Sequence, residues 1–405
     1  MSYNLESIVY TSKTEAELSN YFIVTYQIKA KTNLADAAWN IALGQSVGSP
    51  SMRSEWETQE LFENHSCLIL HSKSELESLK DGNVKIAFPE VNLNLAEDGI
   101  SQLFVEVLGG QCDIDIIEKC RVIDIQFTEN QLKQFQGPKI GLKEIKRYCS
   151  IPDDKPIFGT IVKPKVGLGS EKYFDLVKCL IDGCANFCKE DEILSNQDFC
   201  PISKRLPKIV NYLERTKSKM FYCVSINADP NKLLDRVKQV YELGGNGVHV
   251  NVHCGFGAYR AIRELDLPIL VHYQKSGDKI WTDSGNRFGF DESVLFKIIA
   301  LSGCGTAHCG MLGGYLNEDE ERTKRIVKML ADLNCAGALS CGLHPGLVNY
   351  IKKTLGHGNF MANVGGALFS HPGGTLRGVM AMRQAIDGEE GPEYKSAIEK
   401  WGLKQ

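Results

Sequence analysis

Several features that would place the chain in a particular class of protein are missing from its sequence. There is no cluster of Lys and Arg with interleaved aromatic residues, and the formal net charge is −4, so we expect no nucleic-acid partner. No apolar run approaches the length that crosses a bilayer. The first residues also lack the basic and apolar regions of a secretory signal. We therefore expect neither a membrane partner nor secretion.

Disulfide bonds are not expected either, although cysteine is frequent. The chain has 14 cysteines, but no two of them form a C-x-x-C pair. Several lie in apolar runs that resemble strands, such as CANFC and FYCVS, where a free thiol is a small buried apolar side chain. This usage is typical of a reducing compartment, and we expect a cytoplasmic protein.

The length and the pattern along the chain indicate two domains. A chain of 405 residues suits a barrel of roughly 250 residues with a smaller domain beside it. Residues 1–140 contain short alternating segments separated by stretches of helical period, which predicts a small α+β domain of ferredoxin-like type with an antiparallel sheet. Residues 141–405 form the second predicted domain.

In the second domain, short apolar runs alternate with helical segments. The eight runs are IFGTIVKP (157–164), CANFCKEDE (184–192), MFYCVSIN (220–227), GNGVHVNV (245–252), PILVHYQ (268–274), GTAHCGM (305–311), GALSCGL (337–343) and FMANVGG (360–366). Strict alternation of strand and helix predicts a parallel sheet, and eight units favour an α/β fold with a closed (β/α)₈ TIM barrel. No G-x-G-x-x-G motif supports an open nucleotide-binding sheet.

The end of the second run contains the most informative residues, because active sites of such barrels lie at the carboxyl ends of the strands. Side chains alternate along a strand, so Lys189 and Asp191 point to the same side and Glu190 points away. Asp191 and Glu192 offer the hard oxygen ligands that suit Mg²⁺. Lys189 fits between them as a counter-charge, or as an anionic carbamate formed with CO₂. The alternative is a solvated charged turn.

Other strand ends carry candidate catalytic side chains. The first run ends in Lys163 and Lys165, the fifth carries His272, and the sixth carries His308. Each histidine taken alone is more often a hydrogen-bonded core residue than a catalyst. A zinc site that includes His308 with its neighbouring cysteines, Cys304 and Cys309, is a minor alternative, because the spacing matches no standard zinc pattern.

The last two runs end in small residues that suit a phosphate. Ser340 and Gly342 follow the seventh run, and Gly365 and Gly366 end the eighth. Barrels commonly hold a phosphate on backbone N–H groups of these two loops, where glycine permits close approach. Ordinary turn glycines are the alternative.

Taken together, these motifs resemble those of the RuBisCO large-chain family, which includes the RuBisCO-like proteins. GTIVKPKVGLG (159–169) resembles the strand 1 motif G-x-x-x-K-P-K-x-G, and FCKEDE (187–192) resembles the metal-binding segment. LSGCGTAHCG (301–310), SCGLHPG (340–346) and VGGALFSHP (364–372) match further family segments in the same order. The resemblance covers the whole barrel and fits a small domain before it.

The resemblance implies a role for each matching residue. Lys189 corresponds to the carbamylated lysine (N6-carboxylysine), and Asp191 and Glu192 to its partners in binding Mg²⁺. Lys163 corresponds to the lysine that acts on the enolised substrate, and Lys165 to its companion. The substrate and phosphate contacts implied by the family are His272, His308, Ser340, Gly342, Gly365 and Gly366. The family also implies a homodimer.

Departures from the family pattern argue against carboxylation of ribulose bisphosphate. Tyr315 stands where carboxylases have a lysine that polarises CO₂, and Tyr273 where an arginine grips the second phosphate. Gly110 replaces an asparagine of the small domain. The resemblance therefore implies a RuBisCO-like protein of form IV type, an Mg²⁺-dependent enolase, isomerase or decarboxylase. Its small substrate would be a phosphorylated keto-sugar or sugar-acid derivative, such as 2,3-diketo-5-methylthiopentyl-1-phosphate. The alternative is an inactive barrel with a binding or regulatory role.

Overall fold

The computed structural model describes residues 3–315 and 318–404. Its strands, in chain order, are β1 (Tyr21–Ala30), β2 (Leu68–Ile69), β3 (Asp81–Pro89), β4 (Ile117–Gln126), β5 (Ile157–Ile161), β6 (Phe187–Lys189), β7 (Phe221–Ser225), β8 (Gly247–Asn251), β9 (Leu270–Gln274), β10 (Phe288–Phe290), β11 (Thr306–Gly310), β12 (Ala336–Leu339) and β13 (Met361–Val364).

Helices connect and cover these strands. They are α1 (Leu5–Val9), α2 (Leu34–Gly44), α3 (Gln59–His65), α4 (Lys73–Glu77), α5 (Leu95–Val107), α6 (Glu129–Gln134), α7 (Leu142–Cys149), α8 (Ser170–Asp182), α9 (Ile202–Thr216), α10 (Pro230–Glu242), α11 (Ala258–Glu264), α12 (Lys279–Thr282), α13 (Glu292–Leu301), α14 (Glu320–Asp332), α15 (Val348–Leu355), α16 (Gly366–Phe369), α17 (Thr375–Asp387) and α18 (Pro392–Trp401). No helix of the described residues is long and apolar enough to span a membrane.

The chain divides into two compact units. The first comprises residues 1–135 together with 277–298, and the second comprises residues 136–276 and 299–405. Residues 277–298, which lie within the predicted barrel domain, cluster with the amino-terminal residues instead. The domain boundary at 140/141 stays a prediction.

A five-stranded sheet forms the centre of the first unit, in the order β10-β4-β1-β3-β2. Strand β1 pairs antiparallel with both β3 and β4, while β10 joins the outer edge of β4 in parallel. Aromatic side chains fill the core below the sheet. The rings of Phe22 and Phe88 stack at 5.2 Å, and the hydroxyl of Tyr26 donates to the carbonyl of Val107 at 2.8 Å. The predicted small α+β unit is confirmed, and its sheet is antiparallel except for β10, which the sequence analysis assigned to the barrel domain.

The second unit is a closed barrel of eight parallel strands, in the order β11-β12-β13-β5-β6-β7-β8-β9. Each strand overlaps one of the eight apolar runs of the sequence, so the predicted (β/α)₈ barrel is confirmed. Parallel strands need a crossover connection, and the helical segments between the runs supply it.

The interior of the barrel is packed with apolar side chains at its amino-terminal end. Phe187 of β6 and Phe221 of β7 meet Met361 of β13 there, and Leu142 and Ile145 of α7 pack against the same cluster. Because side chains alternate along a strand, Lys189 faces the interior on the same side as Phe187, one layer nearer the carboxyl end. Because apolar side chains fill the amino-terminal end of the barrel, a cavity is expected at its carboxyl end.

Candidate active site

The charged segment at the end of β6 lies inside the barrel mouth and not in solvent. Lys189 and Asp191 are only 1% and 2% exposed. Lys189 Nζ lies 3.4 Å from Glu192 Oε2, and Lys163 Nζ, from the end of β5, donates to Asp191 Oδ2 at 2.6 Å. The structure therefore brings together the two carboxylates and two of the three lysines that the sequence analysis singled out.

Burial and charge set the protonation of this segment. Burial lowers the pKa of the Lys189 ammonium group, although the nearby Glu192 and Asp191 oppose that shift. For Glu192, burial alone would raise the pKa, but Lys189 and a hydrogen bond from Ser276 outweigh it and lower the pKa to about 2. Glu192 is therefore ionised at neutral pH. Lys189 loses its proton more easily than a lysine in water does, so more of it is in the neutral amine form.

A short chain of hydrogen bonds from β9 holds Glu192. The Ser276 hydroxyl donates to Glu192 Oε1 at 2.7 Å, and Gln274 Nε2 donates to the Ser276 hydroxyl at 2.6 Å. On the other side, Asn227 Nδ2 donates to the carbonyl of Glu192 at 2.9 Å. The sequence analysis missed these three residues, although Gln274 ends a predicted strand and was open to the same reasoning as Lys189.

The side chain of His308 forms another part of the site. Its Nε2 lies 3.3 Å from the Ser340 hydroxyl and 3.8 Å from the Cys341 thiol. Burial, then the charges of Lys275 and Lys189, lower the pKa of His308 to about 3. His308 is therefore a neutral hydrogen-bonding group at physiological pH, not a cation.

Glycines shape the floor of the site beside His308. Gly342 has φ +97°, and a Cβ placed there would lie 2.6 Å from Cδ1 of Tyr315, so a side chain is excluded on both counts. At Gly366 a Cβ would meet nothing within 4 Å, and at Gly365 the nearest atoms are 3.7 Å away, one of them Cε of Lys163. Open space thus adjoins Lys163, where an anionic group of a ligand can approach backbone N–H groups.

These residues surround one cavity of about 520 Å³, a size suited to a small molecule. The predicted residues that line it are Lys163, Lys165, Lys189, Asp191, Glu192, His308, Ser340, Gly342, Gly365 and Gly366. Further lining residues that the sequence analysis did not select include Gln274, Ser276, His344 and Trp401. Trp401 comes from the last helix, α18, and no local sequence signal connects it to the barrel mouth.

His272 is the predicted site residue that the structure does not bring to this cavity. It is absent from the described residues that line the cavity, and its side chain is wholly buried deeper in the barrel. Its Nδ1 lies 2.8 Å from the Thr306 hydroxyl, and its ring contacts that of His249 edge-on at 5.6 Å. Gln274 lies two residues further along the same face of β9 and takes the position at the mouth. His272 thus occupies a core layer below the site.

The alternative of a zinc site finds no support in the part of the chain that the structure describes. No group of three His, Cys, Asp or Glu side chains there is arranged to hold a metal ion. Cys304 and Cys309 are buried, and the Cys309 thiol contacts the carbonyl of Ala338 at 3.8 Å.

Comparison with known proteins assigns the fold and the family. Residues 142–400 match the family model of the ribulose bisphosphate carboxylase large chain, catalytic domain, which is more than half of the chain. The chain belongs to the RuBisCO large-chain family. A ribulose bisphosphate carboxylase of Archaeoglobus fulgidus is 28% identical over 91% of both chains. The 2,3-diketo-5-methylthiopentyl-1-phosphate enolase of Geobacillus kaustophilus is 26% identical over 94% of this chain and 98% of its own.

A solved structure agrees with this family assignment. The octameric ribulose-1,5-bisphosphate carboxylase/oxygenase of Pyrococcus horikoshii superimposes with a TM-score of 0.88 at 25% identity. The match covers 98% of this chain and 96% of that one.

Within the RuBisCO large-chain family, the two tyrosines that depart from the carboxylase pattern occupy different environments. Tyr315 lines the cavity and is 76% exposed, and it brings a neutral phenol to the barrel mouth. Tyr273 is fully buried, with its ring 5.5 Å from that of Tyr259, and is not among the described cavity residues. Only Tyr315 therefore bears directly on a molecule in the cavity.

Proposed function

We propose that the protein is a RuBisCO-like, Mg²⁺-dependent enzyme that enolises a small phosphorylated keto-sugar or sugar-acid derivative and does not carboxylate ribulose bisphosphate. The observation that supports it best is the convergence of Lys163, Lys189, Asp191 and Glu192 in one cavity whose mouth presents Tyr315 in place of a cation. The similarity to the enolase of Geobacillus kaustophilus over nearly its whole length supports this reaction class.

The donor set fits Mg²⁺ if Lys189 becomes a carbamate. Asp191 and Glu192 supply two carboxylates, and no third acidic, His or Cys ligand completes a metal site among residues 3–315 and 318–404. Lys189 Nζ is close to Glu192, and its lowered pKa favours the neutral amine that reacts with CO₂. The N6-carboxylysine formed at Lys189 would be anionic and would add the missing oxygen donor.

The side chains around this segment have separate tasks in the proposed reaction. When bound, Mg²⁺ supplies Lewis-acid stabilisation of the negative charge that develops on substrate oxygens. The carbamate of Lys189 would accept the proton from the carbon beside the substrate carbonyl, and the Lys163 ammonium group, held by Asp191, would return a proton to the enolised substrate as the acid. His308 and Ser340 orient the substrate through neutral hydrogen bonds. The backbone at Gly342, Gly365 and Gly366 receives the phosphate.

Tyr315 separates this reaction from carbon fixation. A phenol at this position supplies no permanent positive charge to polarise an incoming CO₂ molecule. The enolising half of the proposed chemistry depends on the Lys189 segment and Lys163 and needs no cation at position 315. An enolase, isomerase or decarboxylase is the outcome consistent with both features.

The test is exchange of the substrate's carbon-bound proton with D₂O, followed by NMR, for a panel of keto-sugar monophosphates. We expect exchange that depends on both Mg²⁺ and bicarbonate, and none with Lys189→Ala. The matched control is Lys172→Ala, because Lys172 is an exposed lysine of α8. Equal exchange by wild type and Lys189→Ala, or no exchange with any monophosphate, contradicts the proposal. Incorporation of labelled bicarbonate into ribulose bisphosphate would contradict the exclusion of carboxylation.

We also propose that the chain forms a homodimer, alone or within a larger assembly. The similar carboxylase of Pyrococcus horikoshii is octameric. Light scattering at micromolar concentration tests this, and a monomeric mass contradicts it.

A further inference from the structure

Glu190 lies between Lys189 and Asp191. Its side chain points to the outer side of the barrel strand, whereas theirs point into the barrel. Its side chain is completely buried, as is that of Arg205, which lies on the inner face of α9. That face is otherwise apolar, with Ile202, Leu206 and Ile209 buried at helical spacing. A charged pair in this position is unusual, because burying two ions costs several kcal/mol unless both are fully hydrogen-bonded.

Each oxygen of the Glu190 carboxylate accepts two hydrogen bonds. Arg205 Nε donates to Oε1 at 2.6 Å, and Arg205 Nη2 donates to Oε2 at 2.7 Å, so the ion pair is bidentate. The hydroxyl of Tyr222 also donates to Oε1 at 2.6 Å, and the backbone N–H of Ser225 donates to Oε2 at 2.8 Å. Both of these partners belong to β7, the neighbouring strand.

Arg205 also holds the loop that follows the site. Its Nη2 donates to the carbonyl of Ser195 at 2.6 Å, and its Nη1 donates to the carbonyl of Cys200. The guanidinium group thus ties the end of β6 and the loop after Glu192 to α9. Arg205 therefore holds segment 189–192 at Glu190 and also holds the loop that follows Glu192.

This network bears on the site through the geometry of the strand. Successive side chains of an extended segment alternate between its faces, so a fixed outward Glu190 keeps Lys189 and Asp191 pointing inward. A purely stabilising role explains the pair less well, since apolar residues of similar volume often stabilise a core as well or better than a buried ion pair.

We infer that Glu190 and Arg205 are positioning residues, and that their buried ion pair sets the divalent-cation affinity of the Lys189, Asp191 and Glu192 site. The inference rests on the proposed function, because it takes that segment as the metal site. Neither Glu190 nor Arg205 is among the described residues that line the cavity. Their effect passes through the backbone of residues 189–192.

The experiment measures Mn²⁺ affinity in bicarbonate by electron paramagnetic resonance, alongside the thermal unfolding midpoint. The informative variant is the double substitution Glu190→Leu with Arg205→Met, which removes both buried charges together. We expect it to fold with a midpoint near that of wild type and to bind Mn²⁺ at least tenfold more weakly. The control is Asp387→Asn, which removes the partly exposed ion pair with Lys155 and should leave Mn²⁺ affinity unchanged.

A milder variant covers the case in which the double variant does not fold. Tyr222→Phe removes one hydrogen bond to Glu190 and leaves both charges in place. We expect Mn²⁺ binding to weaken severalfold with little change in the unfolding midpoint. If a folded variant of either kind binds Mn²⁺ as tightly as wild type, the positioning role is wrong while the proposed function stands. If wild type itself binds no Mn²⁺ in bicarbonate, the metal site fails and this inference fails with it.

Discussion

The ammonium group of Lys163 and the carboxylate of Asp191 form an ion pair of 2.6 Å between the ends of two adjacent barrel strands. Asp191 is buried in this pair, while Lys163 keeps 29% of its side chain exposed to the cavity. The lysine therefore neutralises a carboxylate that the proposed metal ion also needs. Lys163 and the ion compete for the charge of Asp191. The lysine therefore weakens metal binding at the same time as it serves the proposed proton transfer.

Lys163→Met should consequently separate metal binding from catalysis. Removing the ammonium group frees Asp191, so we expect Mg²⁺ to bind as tightly as in wild type or up to about tenfold tighter. Proton exchange should fall by about a hundredfold or more, because the group that moves the proton is gone. Calorimetric titration with Mg²⁺ in bicarbonate and the NMR exchange assay measure the two effects. Loss of Mg²⁺ binding by folded Lys163→Met would show that Lys163 supports the ion.

Two glycines of the floor should respond differently to alanine. At Gly366 a Cβ meets no atom within 4 Å, so Gly366→Ala should leave the unfolding midpoint unchanged. The added methyl group would enter the space assigned to phosphate and weaken binding of a monophosphate by about 1.5–3 kcal/mol. At Gly342 the positive φ and the contact with Tyr315 add a folding cost of about 1–3 kcal/mol. Calorimetric titration and thermal unfolding distinguish the two. Unchanged monophosphate affinity in Gly366→Ala would place the phosphate elsewhere.

The stability of the barrel should fall in mild acid because of His308. Burial and the neighbouring lysines hold the pKa of His308 at about 3, below its ordinary value of 6.5. The unfolded chain therefore binds the proton first, and stability is complete above pH 6.5 and decreases as the pH falls from 6.5 toward 3. One such histidine contributes up to about 1.4 kcal/mol per pH unit in that range.

Urea unfolding at pH 7.5, 6.5 and 5.5 measures this dependence. His308→Gln should show a shallower decrease than wild type. Equal slopes for His308→Gln and wild type would mean that His308 binds its proton equally well in the folded and unfolded chain, which contradicts a lowered pKa.

In the first unit, Glu106 should have the opposite effect on the pH dependence. Burial raises the pKa of Glu106 to about 7, and among the described residues neither carboxylate oxygen has a hydrogen-bond partner. The folded protein holds this proton more tightly than the unfolded chain, so stability decreases as the pH rises from about 4.5 to 7. Glu106→Gln should be more stable than wild type at pH 8 by about 1–3 kcal/mol, with no gain at pH 4.5. Denaturant unfolding at both pH values measures it, with the exposed Glu55→Gln as the control. A destabilised Glu106→Gln at pH 8 would reveal an unseen cation beside the carboxylate.

Much of this site could be predicted because strand periodicity is local. The two-residue repeat of a strand places Lys189 and Asp191 on one face and Glu190 on the other, and the structure has them so. The same repeat does not predict how far along the barrel axis a side chain lies, and so whether it reaches the cavity. His272 and Gln274 share a face of β9, but only the later residue reaches the cavity. Depth depends on how far each strand is shifted against its neighbours, which is set by contacts across the whole barrel.

Other parts of the structure depend on contacts distant in sequence. Arg205 is a charged residue within an amphipathic helix, and only the folded chain shows that it pairs with Glu190. Trp401 is the last residue of α18, and two helices, α16 and α17, lie between α18 and β13, the last strand of the barrel. Helical spacing alone could place Arg205 on the apolar face of α9, but neither its partner Glu190 nor the position of Trp401 at the cavity follows from a local pattern.

The return of residues 277–298 to the first unit limits how the protein can be cut. Strand β10 pairs with β4, and the guanidinium of Arg121 in β4 donates to the carbonyls of Thr282 and Phe290. A fragment that ends near residue 135 would lose all of these partners and leave β4 as an open edge able to pair with other chains. We expect such a fragment to aggregate, and a single cut at any position interrupts at least one of the two units.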